Sequence, residues 1–339
     1  MRKVPLEDIQ VKKSSQIVDD LRHRRYSLLD SLGCRKLRRE MAIPGFISRL
    51  IVHFLCRMAV RKDGENWPAR VKRALIKLFD RCAKYELVGT MPENVHGMVI
   101  GFNHPSLGEI LRLIGLVAKY YPNSRYLFPV NLPWYEALCP VIDQMQDVGF
   151  YLTPIITPST RRKIAKVADA EKAQIADSIN VGFNRIYLDL CKEFVDNWDV
   201  ILVAPSATRQ ATLFKTDAAL TQEERIEPQT MSLLASTISR GSGPVDCRYQ
   251  TIAVIPPANY AKGLNLGSTY KFVLGSSFTS NSAKQLCREK YGSGFNGRRF
   301  DYDFACEIGR QLFRSGATKL IAPLENERAI NALAKFVKI

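Results

Sequence analysis

Long apolar runs, histidines and paired cysteines are scarce in this 339-residue chain, and each shortage argues against a class of protein. No stretch reaches the ~18 uncharged apolar residues that a membrane-spanning helix requires, so none is predicted. The eight cysteines contain no Cys-x-x-Cys pair, which indicates reduced, partly buried thiols in a cytoplasmic protein. With only four histidines and no local pair of ligands, a zinc site is not expected.

Basic residues far outnumber acidic ones near the N-terminus. Residues 1–85 contain 21 lysines and arginines but only 9 acidic residues, a net charge of +12 out of +16 for the whole chain. Such a segment indicates an anionic partner, either nucleic acid or an anionic membrane surface, or else it is a solubilising helical face. Nucleic acid is disfavoured, because no known binding motif is present and aromatic residues do not alternate with the basic ones. No apolar h-region follows Met1, so no signal peptide is expected.

Residues 45–60 have a helical pattern with a wide apolar face. A narrow basic stripe runs along it, formed by Arg49, His53, Arg57 and Arg61. Such a helix can lie in the interface of a bilayer, or it can pack its wide face against the protein core. The surrounding positive charge favours the membrane. Residues 1–84 are therefore predicted to be a basic helical segment that docks peripherally on the cytoplasmic face of a membrane with anionic lipids.

From residue 85 to 339, short apolar runs alternate with helical patterns, which predicts an α/β domain: a mixed, largely parallel sheet covered by helices. The predicted strands are Tyr85–Gly89, Met98–Phe102, Arg125–Pro129, Phe150–Ile155, Val200–Ala204, Thr251–Ile255 and Lys271–Leu274. The predicted helices of the whole chain are 16–40, 45–61, 68–84, 107–120, 134–146, 159–174, 178–197, 228–239 and 301–316.

One strand-to-helix turn combines two groups that can move a proton. The apolar run Met98–Phe102 leads into Asn103-His104-Pro105-Ser106-Leu107-Gly108-Glu109, and a helical pattern follows. The carboxylate of Glu109, about one turn into the helix, can reach back to His104 and orient its imidazole, so the pair can deprotonate a hydroxyl. Alternatively, Glu109 only favours the N-terminus of the helix electrostatically, and His104 is a capped turn residue.

Two further strand exits carry polar or proline-rich turns. Ala204-Pro205-Ser206-Ala207-Thr208-Arg209-Gln210 follows the predicted strand Val200–Ala204, and Ala253-Val254-Ile255-Pro256-Pro257 closes the strand Thr251–Ile255. Chemistry in open α/β sheets gathers where strands end, and an arginine fork suits a phosphate or carboxylate. Taken alone, Arg209 is better explained as an ordinary surface residue.

The order of these blocks resembles the glycerophospholipid acyltransferase superfamily, whose type member is lysophosphatidate acyltransferase. The first block of that family is Asn-His-x4-Asp, its third is Phe-Pro-Glu-Gly-Thr-Arg-Ser, and its fourth is an apolar run that ends in proline. The resemblance covers roughly residues 85–275, and the spacing between the blocks is similar too.

The resemblance implies an O-acyltransferase of phospholipid biosynthesis. His104 would be the general base, oriented by Glu109, and the donor would be an acyl-CoA or an acyl-carrier protein. The acceptor would be a lysophospholipid or a compound similar to glycerol phosphate, with Thr208 and Arg209 on its phosphate. No metal or other cofactor is implied. The implied substrate-binding residues are Asn103, Pro105, Ser106, Ser206, Thr208, Arg209 and Pro256.

The chain departs from the family pattern mainly in the blocks that bind the acceptor. Glu109 replaces the usual aspartate but keeps its charge, whereas Ser206 replaces a glutamate of the third block. The second block, from Gly149 onward, lacks its usual arginine, although Arg161 and Arg162 lie shortly beyond. The resemblance thus implies the reaction class more specifically than the acceptor. An inactive lipid-binding or scaffolding protein on the same fold is the alternative.

Overall fold

A computed structural model of the chain describes residues 3–59, 67–93, 97–104, 108–204, 247–257, 267–295 and Gln311. Short 3-10 turns at Cys139–Val141 and Gly292–Gly294 accompany the helices. In these ranges helices α1 to α12 are Leu6–Gln10, Ser14–Arg22, Leu28–Ser31, Arg35–Glu40, Ala42–Ala59, Trp67–Cys82, Gly108–Tyr120, Leu132–Leu138, Ile142–Asp147, Pro158–Val167, Ala170–Asp196 and Ser280–Tyr291.

All seven predicted strands are present, and the α/β class is confirmed: the sheet is mixed, and most of its strands run parallel. The strands form where the sequence has short apolar runs. Strands β2 and β5, for example, are buried along their whole length, as is typical of central parallel strands. The short β8 was not predicted. Strands β1 to β8 are Tyr85–Val88, Met98–Phe102, Tyr126–Asn131, Phe150–Ile155, Val200–Val203, Arg248–Ile255, Tyr270–Leu274 and Phe278–Thr279.

Three predicted helices are divided differently in the structure. The prediction of a single helix at 16–40 is wrong, because left-handed backbone at Arg24 and Gly33 separates α2, α3 and α4. The helix at 134–146 is interrupted near Pro140, which has no N–H for the helical ladder. The predicted helix 159–174 is divided too, since α10 ends at Val167 and α11 begins at Ala170. Asp169 lies in the break, and its Oδ1 accepts a hydrogen bond from Lys172 N at 2.9 Å. The predicted helices 228–239 and 301–316 lie outside the described residues, except for Gln311, which is helical.

The chain forms two compact units. The first consists of residues Met1–Leu75 and Arg125–Leu190, and the second of Ile76–Ser124 and Cys191–Ile339. Two of the three boundaries between the units fall inside helices, one within α6 and one within α11. The third lies between α7 and β3. The division predicted at residue 84, into a membrane-docking segment and an acyltransferase domain, concerns function and stays a prediction.

The second unit contains a mixed sheet in the order β1-β7-β6-β2-β5, with β8 paired to β6. Strand β2 is central and runs parallel to both neighbours, with Gly101 opposite Val203 of β5 and Phe102 opposite Ile252 of β6. Strand β7 runs antiparallel to β6 and parallel to β1. Strands β2, β5 and β6 therefore end at the same edge of the sheet at which β1 and β7 begin.

In the first unit, β3 pairs in parallel with β4, and a buried glutamate of α8 holds the N-terminal helices in place. Ser27 Oγ donates to Glu136 Oε2 at 2.7 Å, and Leu29 N donates to Glu136 Oε1 at 3.0 Å. Glu136 thus caps the first turn of α3 from a distant part of the chain, because helix N-termini leave N–H groups that need acceptors. Burial raises the pKa of Glu136 to about 7, although these hydrogen bonds act in the opposite direction.

Stability should fall as the pH rises from 4.5 to about 7, through the titration of Glu136. In this range the folded protein keeps a proton that the unfolded chain releases, so the free energy of unfolding decreases by roughly 3 kcal/mol, from ~1.4 kcal/mol per pKa unit. Glu136→Gln should remove this pH-dependent contribution to the free energy of unfolding, even if the substitution also changes stability at every pH. Chemical denaturation across the range measures it, and Glu289→Gln on the exposed face of α12 controls for the lost charge. An equal slope in wild type and Glu136→Gln would contradict the assignment.

Helix α5 packs against α8 through a glycine and exposes the opposite face. A Cβ on Gly45 would lie only 2.6 Å from the Cβ of Ala137, so the two helices approach closely at this point. The exposed face carries a stripe of apolar side chains, spaced as i, i+3, i+4, i+7 and i+11, that are 45–73% exposed: Ile43, Phe46, Ile47, Leu50 and Phe54. We call these five residues the apolar stripe. Among the described residues, no helix is long and apolar enough to cross a membrane.

Candidate functional site

The paired side chains predicted at the first strand exit are in contact. His104 follows β2, Glu109 is the second residue of α7, and the two hydrogen bond through His104 Nδ1 and Glu109 Oε1. An ionised carboxylate can only accept, so Nδ1 carries the hydrogen and Nε2 of the neutral ring keeps its lone pair. The Glu109 side chain is fully buried and that of His104 is 18% exposed. This arrangement suits a general base that a carboxylate orients.

The three strand exits selected from the sequence are neighbours at one edge of the sheet. Strand β2, which delivers His104, lies between β5 and β6, and all three run parallel. The chain that leaves β5 at Ala204 and the chain that leaves β6 at Pro256 therefore start beside the exit of β2. In open α/β sheets this is where ligands bind.

Asn103 fixes the turn that presents His104. Its Nδ2 donates to Val254 O at 2.8 Å, and its Oδ1 accepts from Val254 N at 2.6 Å, so the amide pairs with β6 as a further strand residue would. The side chain is buried, and losing these partners would leave polar groups unsatisfied. Substrate binding by Asn103 stays a prediction. The contacts described give it a role in holding β2 and β6 together where they end.

The remaining predicted substrate-binding residues are only partly placed. Pro256 lies directly after β6, is partly exposed, and is two residues from Val254. Five others lie outside the described residues, and their roles stay predictions: Pro105, Ser106, Ser206, Thr208 and Arg209. Arg161, which follows the second block in the sequence, forms a two-point ion pair with Asp177, with N–O distances of 2.6 Å.

Arg112, for which the sequence pattern indicated no role, lies one turn after Glu109 and is fully buried. A signal was present: it is a lone basic residue among the apolar residues 110–118. Buried arginines are rare and need partners, so such an arginine indicates a specific set of contacts. The pattern could not identify the partners, since all of the contacts outside α7 come from distant parts of the chain.

No protein-family model matches this chain, and no curated protein matches it in sequence. The assignment to the glycerophospholipid acyltransferase superfamily therefore rests on the motifs and stays a prediction.

Proposed function

We propose that the protein is an O-acyltransferase that moves a fatty acyl group from an acyl thioester to a hydroxyl of a lysophospholipid or a similar acceptor. The observation that carries the proposal is the contact between His104 and the buried Glu109 at the C-terminal edge of the sheet. A buried carboxylate on Nδ1 leaves Nε2 free to accept a proton, as general-base catalysis requires. The resemblance of the surrounding blocks to the acyltransferase superfamily supports the choice of reaction.

In the proposed reaction, His104 Nε2 takes the proton of the acceptor hydroxyl while the hydroxyl oxygen attacks the thioester carbonyl carbon. The new C–O bond gives a tetrahedral intermediate, whose oxyanion needs hydrogen-bond donors at the site. The C–S bond then breaks, the electron pair leaves with the thiolate, and the imidazolium returns the proton to sulfur. Glu109 keeps the ring in the required tautomer and stabilises its charged form. No covalent acyl-enzyme is needed.

Mass spectrometry of reaction products tests the proposal and identifies the substrates. The purified protein is incubated with acyl-CoA or acylated carrier protein, each with a panel of lysophospholipids and glycerol phosphate. We expect an acylated product from at least one pairing, and its mass reports the acceptor and the chain length. If no pairing yields a product, while the protein still binds vesicles, the proposal is contradicted in favour of an inactive lipid-binding protein on the same fold.

We further propose that the protein docks on a membrane surface through the apolar stripe of α5. The stripe is a continuous apolar face on one side of the helix, and large exposed apolar patches mark binding surfaces. Exposed basic residues of α4, namely Arg35, Lys36 and Arg39, immediately precede it in the chain. A basic surface beside an apolar helix face suits a bilayer with anionic lipids.

Flotation with vesicles distinguishes the two contributions to docking. Binding should be stronger to vesicles that contain phosphatidylserine than to neutral phosphatidylcholine vesicles, and the difference should shrink at high salt because surface charges are screened. Binding that does not depend on anionic lipid would contradict the electrostatic contribution and leave the apolar stripe alone to explain it.

A further inference from the structure

Arg112 connects three segments of backbone around the candidate site. Its Nε donates to Lys84 O at 2.9 Å, its Nη1 to Gly108 O at 2.8 Å and its Nη2 to Ser268 O at 2.8 Å. Lys84 precedes β1, Gly108 is the first residue of α7, and Ser268 lies just before β7. The planar guanidinium places three separate nitrogens so that each donates to a different carbonyl. The compact ammonium group of a lysine does not reproduce this geometry.

These contacts lie at the edge of the sheet that carries His104. Strands β1 and β7 begin where β2, β5 and β6 end, because β7 is antiparallel to β6 and parallel to β1. Arg112 therefore ties the starts of β1 and β7 to the first turn of α7. That turn carries Glu109, so the position of the carboxylate depends on this connection.

The guanidinium of Arg112 is also a buried positive charge near a buried negative one. Its Cζ lies 4.1 Å from the ring centroid of Tyr270, which is itself fully buried. Burial lowers the pKa of Arg112, whereas Tyr270 and the carboxylate of Glu109 act in the opposite direction. A guanidinium keeps its charge in such surroundings, since its pKa is ordinarily far above neutrality. Arg112 therefore holds a positive charge within electrostatic range of the Glu109 carboxylate.

We propose that Arg112 is a positioning residue for the His104–Glu109 pair: it fixes the first turn of α7 and keeps a positive charge beside Glu109, so that the carboxylate holds the imidazole. The catalytic consequence rests on the proposed acyl transfer. Because Arg112 is fully buried, it does not contact substrate, and its effect must pass through the pair.

The test compares Arg112→Met, which removes the charge and the donors, with Arg112→Lys, which keeps only the charge. For Arg112→Met we expect kcat per folded molecule to fall by ~10²-fold, the effect of misplacing a catalytic group by about 1 Å, with KM within about twofold. Arg112→Lys should retain more activity than Arg112→Met. In proton NMR, the low-field resonance of His104 Nδ1–H, bonded to Glu109, should disappear in Arg112→Met, and Glu109→Gln identifies it.

Lys72→Met is the matched control, because Lys72 is also a buried cation over a tyrosine ring, 4.9 Å from the centroid of Tyr126. It should lower stability without changing the His104 resonance. Wild-type kcat and an unchanged resonance in Arg112→Met would overturn the proposal; if that variant does not fold, the same result in Arg112→Lys would overturn the role of the three hydrogen bonds in fixing the turn. A wild-type protein without transferase activity, whose resonance is nevertheless lost in Arg112→Met, would contradict acyl transfer but not the positioning role.

Discussion

Replacing His104 by alanine should lower kcat/KM for acyl transfer by ~10³-fold, within the range that general acid–base catalysis contributes. The side chain is removed together with Nε2, the atom that accepts the hydroxyl proton, and no other histidine follows a strand at this edge among the described residues. The protein should stay folded, since the His104 side chain is partly exposed and its one hydrogen bond among the described residues is to Glu109. Initial rates and thermal unfolding of both proteins measure the two effects.

His23→Ala is the matched control for this experiment. His23 also lies beside a carboxylate, with its Nδ1 3.1 Å from Asp19 Oδ1, but both side chains are half exposed and far along the chain from β2. The acyl-transfer activity of His23→Ala should equal that of wild type. Comparable activity of His104→Ala and wild type would remove the catalytic assignment, whereas equal losses in both variants would show that the assay responds to histidine substitution in general.

Charged substitutions in the apolar stripe should abolish binding to vesicles. In Phe46→Asp/Leu50→Asp/Phe54→Asp, three side chains that are 52–60% exposed become anionic. If each loses about 1 kcal/mol or more of apolar burial in the bilayer, binding weakens by at least ~10²-fold. Repulsion from anionic lipid adds to the loss. Vesicle flotation measures it, and activity on a short-chain, water-soluble acceptor should be retained.

The control places the same substitutions on other exposed apolar residues of the molecule. Val167, Val181 and Leu286 are 66–71% exposed and lie on three different helices, so the triple aspartate variant carries the same charge change without touching the stripe. It should bind vesicles almost as well as wild type. Equal loss in the two triple variants would show that net charge, and not the stripe, governs binding.

Local sequence patterns were sufficient for the strands and for the His104–Glu109 pair. A strand such as Met98–Phe102 is a short apolar run bounded by turn residues, and that signal is contained within the run itself. His104 and Glu109 are five residues apart across one turn, so their contact depends on local geometry that a sequence can suggest. The apolar stripe of α5 was also visible as a helical period, although its exposure was not.

Only the tertiary structure decided which distant groups meet. Asn103 pairs with Val254, Glu136 caps α3 through Ser27, and Arg112 reaches Lys84 and Ser268, although each pair is far apart in the sequence. The face that α5 exposes likewise depends on the close approach of Gly45 to Ala137. A single sequence specifies apolar and polar positions, but the partner of a buried polar group is set by packing over the whole chain, where most such groups find a hydrogen bond.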